Sequence, residues 1–348
     1  MDQQAQIQEF RRAFTRIQSE ASKVMVGYEG VIAQVLAVVF VGGNVLLEGV
    51  PGIGKTYLIK TLGEVLDLKF KRIQFTADLM PADIIGTSIM IPEEGQSLRH
   101  TFRFQKGPIF TNLLLADEIN RATPKTQSAL LEAMEEHTVT VGGKPYRLEE
   151  PFFVLATQNP IEQEGTYPLP KAQLDKFLFK VIVPFPDQAA LEEIIVRTTT
   201  EEYPHVEKVT NAGMIEKMKT IVRGVPVASH VEEFAAGLVV NSWPEARNAP
   251  PTVKRYVAQG SSPRGLQGLI LTAKVQAMLD GRFHVSCEDV RDVAVPVLRH
   301  RLVLNMEGEA GGIKTDVIVA EIVKAMAAEL KSALAVVATA VGSARGAV

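Results

Sequence analysis

Short apolar runs alternate with helix-spaced segments through the first half of the chain, and helix-spaced segments dominate the second. Runs at Val45–Glu48, Lys71–Phe75, Asn112–Asp117, Phe152–Thr157 and Lys180–Val183 predict strands. Contiguous apolar strands of this kind suit a parallel sheet covered on both faces, the mark of an α/β layer. Met1 to Glu20 is polar and helix-spaced. From Asp187 onward the period is helical over 187–200, 211–222, 229–241, 264–280, 287–298 and 315–332. Pro184-Phe185-Pro186 separates the two regimes. The expected organisation is an N-terminal helix over 1–24, an α/β core over 25–186, a helical unit over 187–328 and a tail over 329–348. Two alternating stretches interrupt the core, one over 87–104 around Pro92-Glu93-Glu94-Gly95 and one over 138–148 around Gly142-Gly143. Both predict inserted β-hairpins.

The run Gly49 to Thr56, GVPGIGKT, lies between the strand Val45-Leu46-Leu47 and the helix-compatible segment Tyr57 to Leu66. That setting is the one a phosphate cradle needs. Glycines at 49, 52 and 54 let backbone N–H groups converge on phosphate oxygens, with Pro51, Ile53 and Tyr57 in the same turn, and the following helix adds its positive dipole end. Lys55 would reach the terminal phosphates of a nucleoside triphosphate, and the Thr56 hydroxyl would ligate Mg²⁺. Val26-Gly27 precedes the first core helix and could set a small apolar contact against the adenine.

A second constellation ends the run Leu113-Leu114-Leu115-Ala116-Asp117-Glu118. Asp117 would hold the Mg²⁺ hydration shell beside Thr56, and Glu118 would orient and deprotonate an attacking water. After the next strand, Asn159 offers an amide that can bridge that water and the γ-phosphate. Ser262-Pro263-Arg264 opens a helix, with proline in the first turn, and Arg264 would extend to the γ-phosphate and couple this unit's angle to nucleotide state.

Composition narrows the classes. With 348 residues the chain has room for two cores, and 46% hydrophobic with 22% charged residues is ordinary for a globular protein. A net charge of −3 supplies no basic field for non-specific nucleic-acid binding. Arg99, His100 and Arg103 on the first hairpin and Lys144 and Arg147 on the second are the candidates for a nucleic-acid motor, and they form no dense stripe. The one cysteine, Cys287, cannot form an internal disulfide, so a reducing cytoplasm is the expected compartment. No basic-then-apolar leader opens the chain, and Val31–Val41 and Ala333–Val341 are too short to span a bilayer. His284 and Cys287 have helical spacing but no third partner nearby, so Mg²⁺ is the only metal expected.

With these residues assembled, the chain resembles an AAA+ ATPase, and specifically the MoxR family. The resemblance covers about Val24 to about Ile322 and rests on GVPGIGKT, LLLADEINRATPKTQSALLEAMEE, FVLATQNPIEQEGTYPLPKAQLDKFLFKV and SPRGLQGLI. It implies a P-loop (ASCE/AAA+) parallel sheet with β-hairpin inserts, followed by an all-α lid domain. The hairpin at 87–104 would be the helix-2 insert, that at 138–148 the pre-sensor-1 hairpin, Asn159 sensor 1 and Arg264 sensor 2. It also implies a homo-oligomeric ring, usually a hexamer, with ATP and Mg²⁺ at each subunit boundary. The implied partners are von Willebrand factor A-domain proteins, the implied tasks metal-cofactor insertion or maturation of a complex.

The chain departs from the family at one point. The family's LDRF segment here reads Leu174-Asp175-Lys176-Phe177, with lysine where the arginine finger stands. An arginine finger accelerates phosphoryl transfer by about 10³–10⁵, or roughly 4–7 kcal/mol of barrier, and a lysine lacks its planar fork. Slow basal turnover is the expectation, with Arg121 in DEINRA as the other candidate cation acting in trans. Two readings follow: an ATP-hydrolysing remodeller of partner proteins, and a slow-hydrolysing nucleotide-gated switch for assembly and binding.

Overall fold

The computed structural model describes residues 3–93, 96–160, 165–199 and 204–328, with the backbone alone considered over 91–101. The expected tail over 329–348, the helix ends at 200 and 329–332, and the side chains of Arg99 and His100 lie outside the described residues. The chain divides into two compact units, residues 1–223 and 224–348.

In the first unit, helix α1 (Gln3–Ser22) buries Phe10, Phe14 and Ile17 against helix α2 (Glu29–Val39). The ring of Phe10 meets that of Phe40 edge-on at 5.3 Å. Strand β1 (Val45–Glu48) leads into α3 (Lys55–Val65), followed by β2 (Phe70–Gln74) and the short helix α4 (Pro81–Ile85). Hairpin β3 (Gly86–Glu93) and β4 (Gln96–Lys106) comes next, then β5 (Leu113–Asp117), α5 (Pro124–Glu136) and the hairpin β6 (Thr138–Val141) and β7 (Lys144–Arg147). Strand β8 (Phe153–Gln158), a turn of helix α6 (Lys171–Leu174) and β9 (Phe179–Ile182) complete the sheet. Helices α7 (Gln188–Thr198) and α8 (Ala212–Arg223) close the unit.

Five strands form one parallel sheet in the order β2-β5-β8-β1-β9, with both hairpins as separate antiparallel ladders. The expected core strands and hairpins are all present, most of the bounds shifted by a residue or two. Burial explains the apolar runs. All five residues of β5 are buried and so are the first five of β8, because helices cover both faces of the sheet centre. Edge strand β2 keeps one buried residue, Ile73, and carries Lys71, Arg72 and Gln74. Helix α3 lies close on this sheet: a Cβ on Gly63 would come within 3.3 Å of both Phe70 and Leu113. Parallel strands with crossover helices bring every carboxyl end of the sheet to one edge, where open α/β sheets bind ligands.

Helices α7 and α8 fold with this unit through polar ties to α1. Arg197 donates to the carbonyl of Ser22 at 3.1 Å and to that of Lys23, Lys217 pairs with Glu9, and the Glu207 amide donates to the carboxylate of Glu20 at 2.7 Å. The packing boundary thus lies at 223/224, while the change in sequence character lies near 185.

The second unit packs α9 (Ser229–Val240), α11 (Pro263–Leu279) and α12 (Cys287–Leu298) together. Helix α10 (Pro251–Tyr256), a two-strand ladder of β10 (Val257–Gln259) and β11 (Val303–Leu304), helix α13 (Met306–Ala310) and a helical stretch over 315–328 surround them. Among the described residues no helix is long and apolar enough to cross a membrane.

The start of α12 carries this unit's most buried carboxylate. Asp289 accepts from the Ser286 amide at 2.7 Å in a capping box and receives Arg282 at 2.9 Å on Oδ2 and 2.6 Å on Oδ1. Burial works to raise its pKa, yet the hydrogen bonds from Arg282 and Ser286 leave it below the ordinary value of 3.8. A lowered carboxylate pKa contributes stability that is complete above 3.8 and fades as pH falls through the folded value. Asp289→Asn should therefore lower unfolding stability by about 1–3 kcal/mol near neutral pH. The deficit should shrink in acid, read by denaturant titration at pH 7 and pH 3.

Candidate active site

The phosphate loop spans the turn between β1 and α3. Gly52 and Gly54 have φ of 80° and 85°, the left-handed region in which a side chain is strained, and Gly54 is the residue that caps α3. Ile53 is buried beneath the loop, while Gly49 and Pro51 flank the bend. Lys55 extends back over the turn, where its ammonium donates to the carbonyl of Val50 at 3.0 Å and to that of Gly49. The loop thus carries its own cation at the mouth of α3, beside the N–H groups and dipole that favour an anion.

Sheet order explains how the other predicted residues converge. Strand β8 lies between β1 and β5, so Asn159, buried just past the end of β8, emerges between the phosphate loop and the acidic pair at the end of β5. Asp117 is the last residue of β5, and its side chain is 9% exposed. Its Oδ2 accepts from the Thr56 hydroxyl at 3.1 Å and its Oδ1 from the Thr157 hydroxyl at 2.6 Å. Thr157 also takes the Glu118 amide at 2.8 Å. One buried hydroxyl therefore ties both acids to β8.

Glu118 has φ 55° and ψ 50°, a left-handed conformation that costs a non-glycine residue about 1 kcal/mol. The bend starts a 3₁₀ turn over Ile119–Arg121 and turns the carboxylate along the sheet edge. There Glu118 Oε2 accepts from Gln74 Nε2 at 2.7 Å and from Arg121 Nη1 at 2.9 Å. Arg121 is a partner of Glu118 within its own chain.

Sequence reasoning missed the contribution of β2. Arg72 donates to Asp117 Oδ2 through Nε at 2.9 Å and Nη2 at 2.7 Å, and also through Nη2 to the Gln74 side-chain oxygen. The parallel register places Gln74 opposite Asp117 and Arg72 opposite Leu115. A signal exists in retrospect: two polar residues at period 2 on one face of a strand, where solvated faces usually carry unrelated charges.

The base-side pocket is a cavity of about 290 Å³ lined by Val26 together with Met25, Tyr28, Ile53, Tyr57 and Ile194. Phe185, Pro186 and Leu191 also face it. Gly27 adjoins this wall, and a Cβ there would stand 3.0 Å from Ala190. Tyr28 is buried and donates its hydroxyl to the carbonyl of Ile53 at 2.9 Å, and burial pushes its pKa up. Only Val26, Gly27 and the loop residues were legible beforehand, since the pocket draws on three distant segments.

Two further predicted cations stand elsewhere. Lys176 follows α6 and is spoken for within its own chain, 2.8 Å from Glu135 and donating to the carbonyl of Leu131 at 3.1 Å. Arg264 is exposed in the first turn of α11, whose cap is the Ser262 hydroxyl accepting from the Arg264 amide at 3.2 Å.

The donor set fits Mg²⁺. Thr56 and Asp117 present hard oxygens 3.1 Å apart beside a phosphate loop, and Mg²⁺ uses one or two protein oxygens with phosphates and waters.

The family relationships agree with this geometry. Residues 44–179 match the model of the ATPase family associated with various cellular activities (AAA), and residues 251–322 match an AAA lid domain. The chain is 40% identical to chaperone MoxR1 of Mycobacterium tuberculosis over 308 residues, covering 88% of this chain and 80% of that protein. It is 30% identical to protein MoxR of Methylorubrum extorquens over 316 residues, 86% and 90% of the two chains. A crystal structure of a candidate ATPase from Cytophaga hutchinsonii superposes with a TM-score of 0.84 at 38% identity, covering 92% of this chain and 96% of that one.

Tyr28→Phe removes the hydroxyl that anchors Ile53 and should cost about 1 kcal/mol in loop order. Roughly fivefold weaker nucleotide binding by calorimetry, with unchanged far-UV circular dichroism, is the expected outcome. The chain belongs to the MoxR family of AAA+ ATPases.

Proposed function

We propose that this chain hydrolyses ATP with Mg²⁺ at the interfaces of a homo-oligomeric ring, a hexamer in the leading reading, and uses the cycle to remodel a partner protein. The observation that carries the reading is the Thr56–Asp117–Thr157–Glu118 cluster beside the phosphate loop. Loop N–H groups and Lys55 bind and orient the β- and γ-phosphates, and the apolar pocket beside Tyr28 accepts the base. Thr56 and Asp117 would hold Mg²⁺, which when bound neutralises charge developing on the phosphate oxygens. Glu118 takes a proton from the attacking water, and Asn159 orients that water against the γ-phosphate. Arg264 senses the γ-phosphate from the second unit, in its own or a neighbouring subunit.

Lys176 is assigned as the cation acting in trans, with Arg121 as its rival. For either to act so it must exchange an ion pair within its own chain, Lys176 with Glu135 or Arg121 with Glu118. The MoxR resemblance supports a von Willebrand factor A-domain partner and work on metal-cofactor insertion or complex maturation. A relative named as a chaperone supports the remodelling role. The single cysteine supports a cytoplasmic site of action.

One observation favours the slow switch as a second reading: Gln74 and Arg121 both hold the carboxylate of the proposed base. In that reading ATP drives assembly and partner capture, and hydrolysis resets the state. A large ratio of partner affinity between ATP and ADP without turnover would favour the switch.

Glu118→Gln should lower turnover about 10²–10⁴-fold while calorimetry shows ATP affinity within a few-fold of the parent. An unchanged rate would reject Glu118 as base. Lys176→Arg should raise steady-state turnover, and a rate unchanged or lower would remove Lys176 as the weakened finger.

A further inference from the structure

The reaction proposed above gives Arg72 no task, yet its guanidinium is the nearest partner of Asp117 Oδ2. That oxygen receives three hydrogen bonds, two from Arg72 at 2.7 and 2.9 Å and one from Thr56 at 3.1 Å. Oδ1 is taken by Thr157 at 2.6 Å. A carboxylate offers about four lone-pair sites, so Asp117 has no vacant one for a metal or a metal-bound water. A divalent cation served by Thr56 and Asp117 must therefore compete with the guanidinium for Oδ2, and the two positive charges repel at that range.

Burial says which partner can move. The Asp117 side chain is 9% exposed and fixed at the end of a buried strand, whereas the Arg72 side chain is 47% exposed on edge strand β2. The guanidinium can swing into water at small solvation cost, and the carboxylate cannot follow it. Arg72 also orients Gln74: it donates to the amide oxygen, so the nitrogen is the end presented to Glu118.

We propose that Arg72 is a displaceable counterion: it neutralises Asp117 while no divalent cation is bound, and yields Oδ2 when one arrives. As a positioning residue it would set the magnesium concentration at which the site takes up nucleotide. Its departure would also loosen the amide that restrains Glu118. The inference rests on the reading of Thr56 and Asp117 as magnesium partners.

The test measures affinity for a non-hydrolysable ATP analogue by calorimetry across a series of free Mg²⁺ concentrations, with a chelator arm lacking the metal. Arg72→Gln should lower the Mg²⁺ concentration for half-maximal affinity roughly three- to tenfold, the worth of a partly exposed ion pair. It should also weaken metal-free binding, because a positive charge near the phosphates is gone. Arg72→Lys keeps the charge but loses the two-point grip, so it should shift the midpoint in the same direction by less, and it carries the test if Arg72→Gln does not fold. In an Asp117→Asn background, Arg72→Gln should leave the Mg²⁺ dependence unmoved. Superimposable Mg²⁺ curves for the parent and both variants, or a midpoint that rises, would overturn the counterion role while leaving the ATPase reading intact. Failure of the parent to take up the analogue at any Mg²⁺ concentration would overturn both.

Discussion

A carboxylate enclosed at the end of a buried strand persists as an anion only if its oxygens are met by donors, and Asp117 collects four hydrogen bonds from three elements. Thr56 brings the first turn of α3, Thr157 brings β8, and Arg72 brings the edge strand β2. Satisfying this one group therefore aligns the phosphate loop, the central strands and the sheet edge in a single arrangement. Glu118 inherits its placement from the same clamp, because Thr157 holds its amide while its left-handed backbone turns the carboxylate away. The strain at Glu118 is local, and the hydrogen bonds around it are sufficient to hold it.

The parallel sheet makes that clamp possible. Crossover helices send the carboxyl ends of β1, β8 and β5 to the same edge, so a glycine-rich turn, an amide and an acidic pair meet although they lie far apart along the chain. The base-side pocket follows a different logic. Its walls come from the segment before α2, from the loop itself, and from the start of α7. Helix α7 is held there by Arg197, which reaches the carbonyls at the end of α1. The N-terminal helix thus supports one wall of the pocket through hydrogen bonds and aromatic packing.

The cations around the site share a common trait: Lys55, Arg72, Arg121 and Lys176 each have an oxygen partner within the chain. Charge near the acidic pair is balanced internally, so a nucleotide or a neighbouring subunit must exchange partners rather than fill an open charge. Such exchange suits a protein that changes state with its ligand, because the competing contacts are of similar energy and shift with modest binding differences.

The phosphate loop and the acid-tipped strand were readable because their chemistry is contiguous: GVPGIGKT and LLLADE each carry the residues they need within a few positions. Both hairpins and the five core strands were readable for the same reason, since period 2 and unbroken apolar runs are local consequences of which faces are covered. Arg72 and Gln74 were not, because a polar residue on an edge strand looks identical whether it meets water or a neighbour's carboxylate. Tyr28, Phe185 and Ile194 were hidden likewise, their value arising only where three segments close on one cavity. The linear order of residues by itself determined the nucleotide chemistry and the layer architecture, which depend on spacing along the backbone. Tertiary structure alone decided which donors hold each acid and which cations are already engaged, because those pairings span up to about sixty residues and exist only once the sheet has set its register.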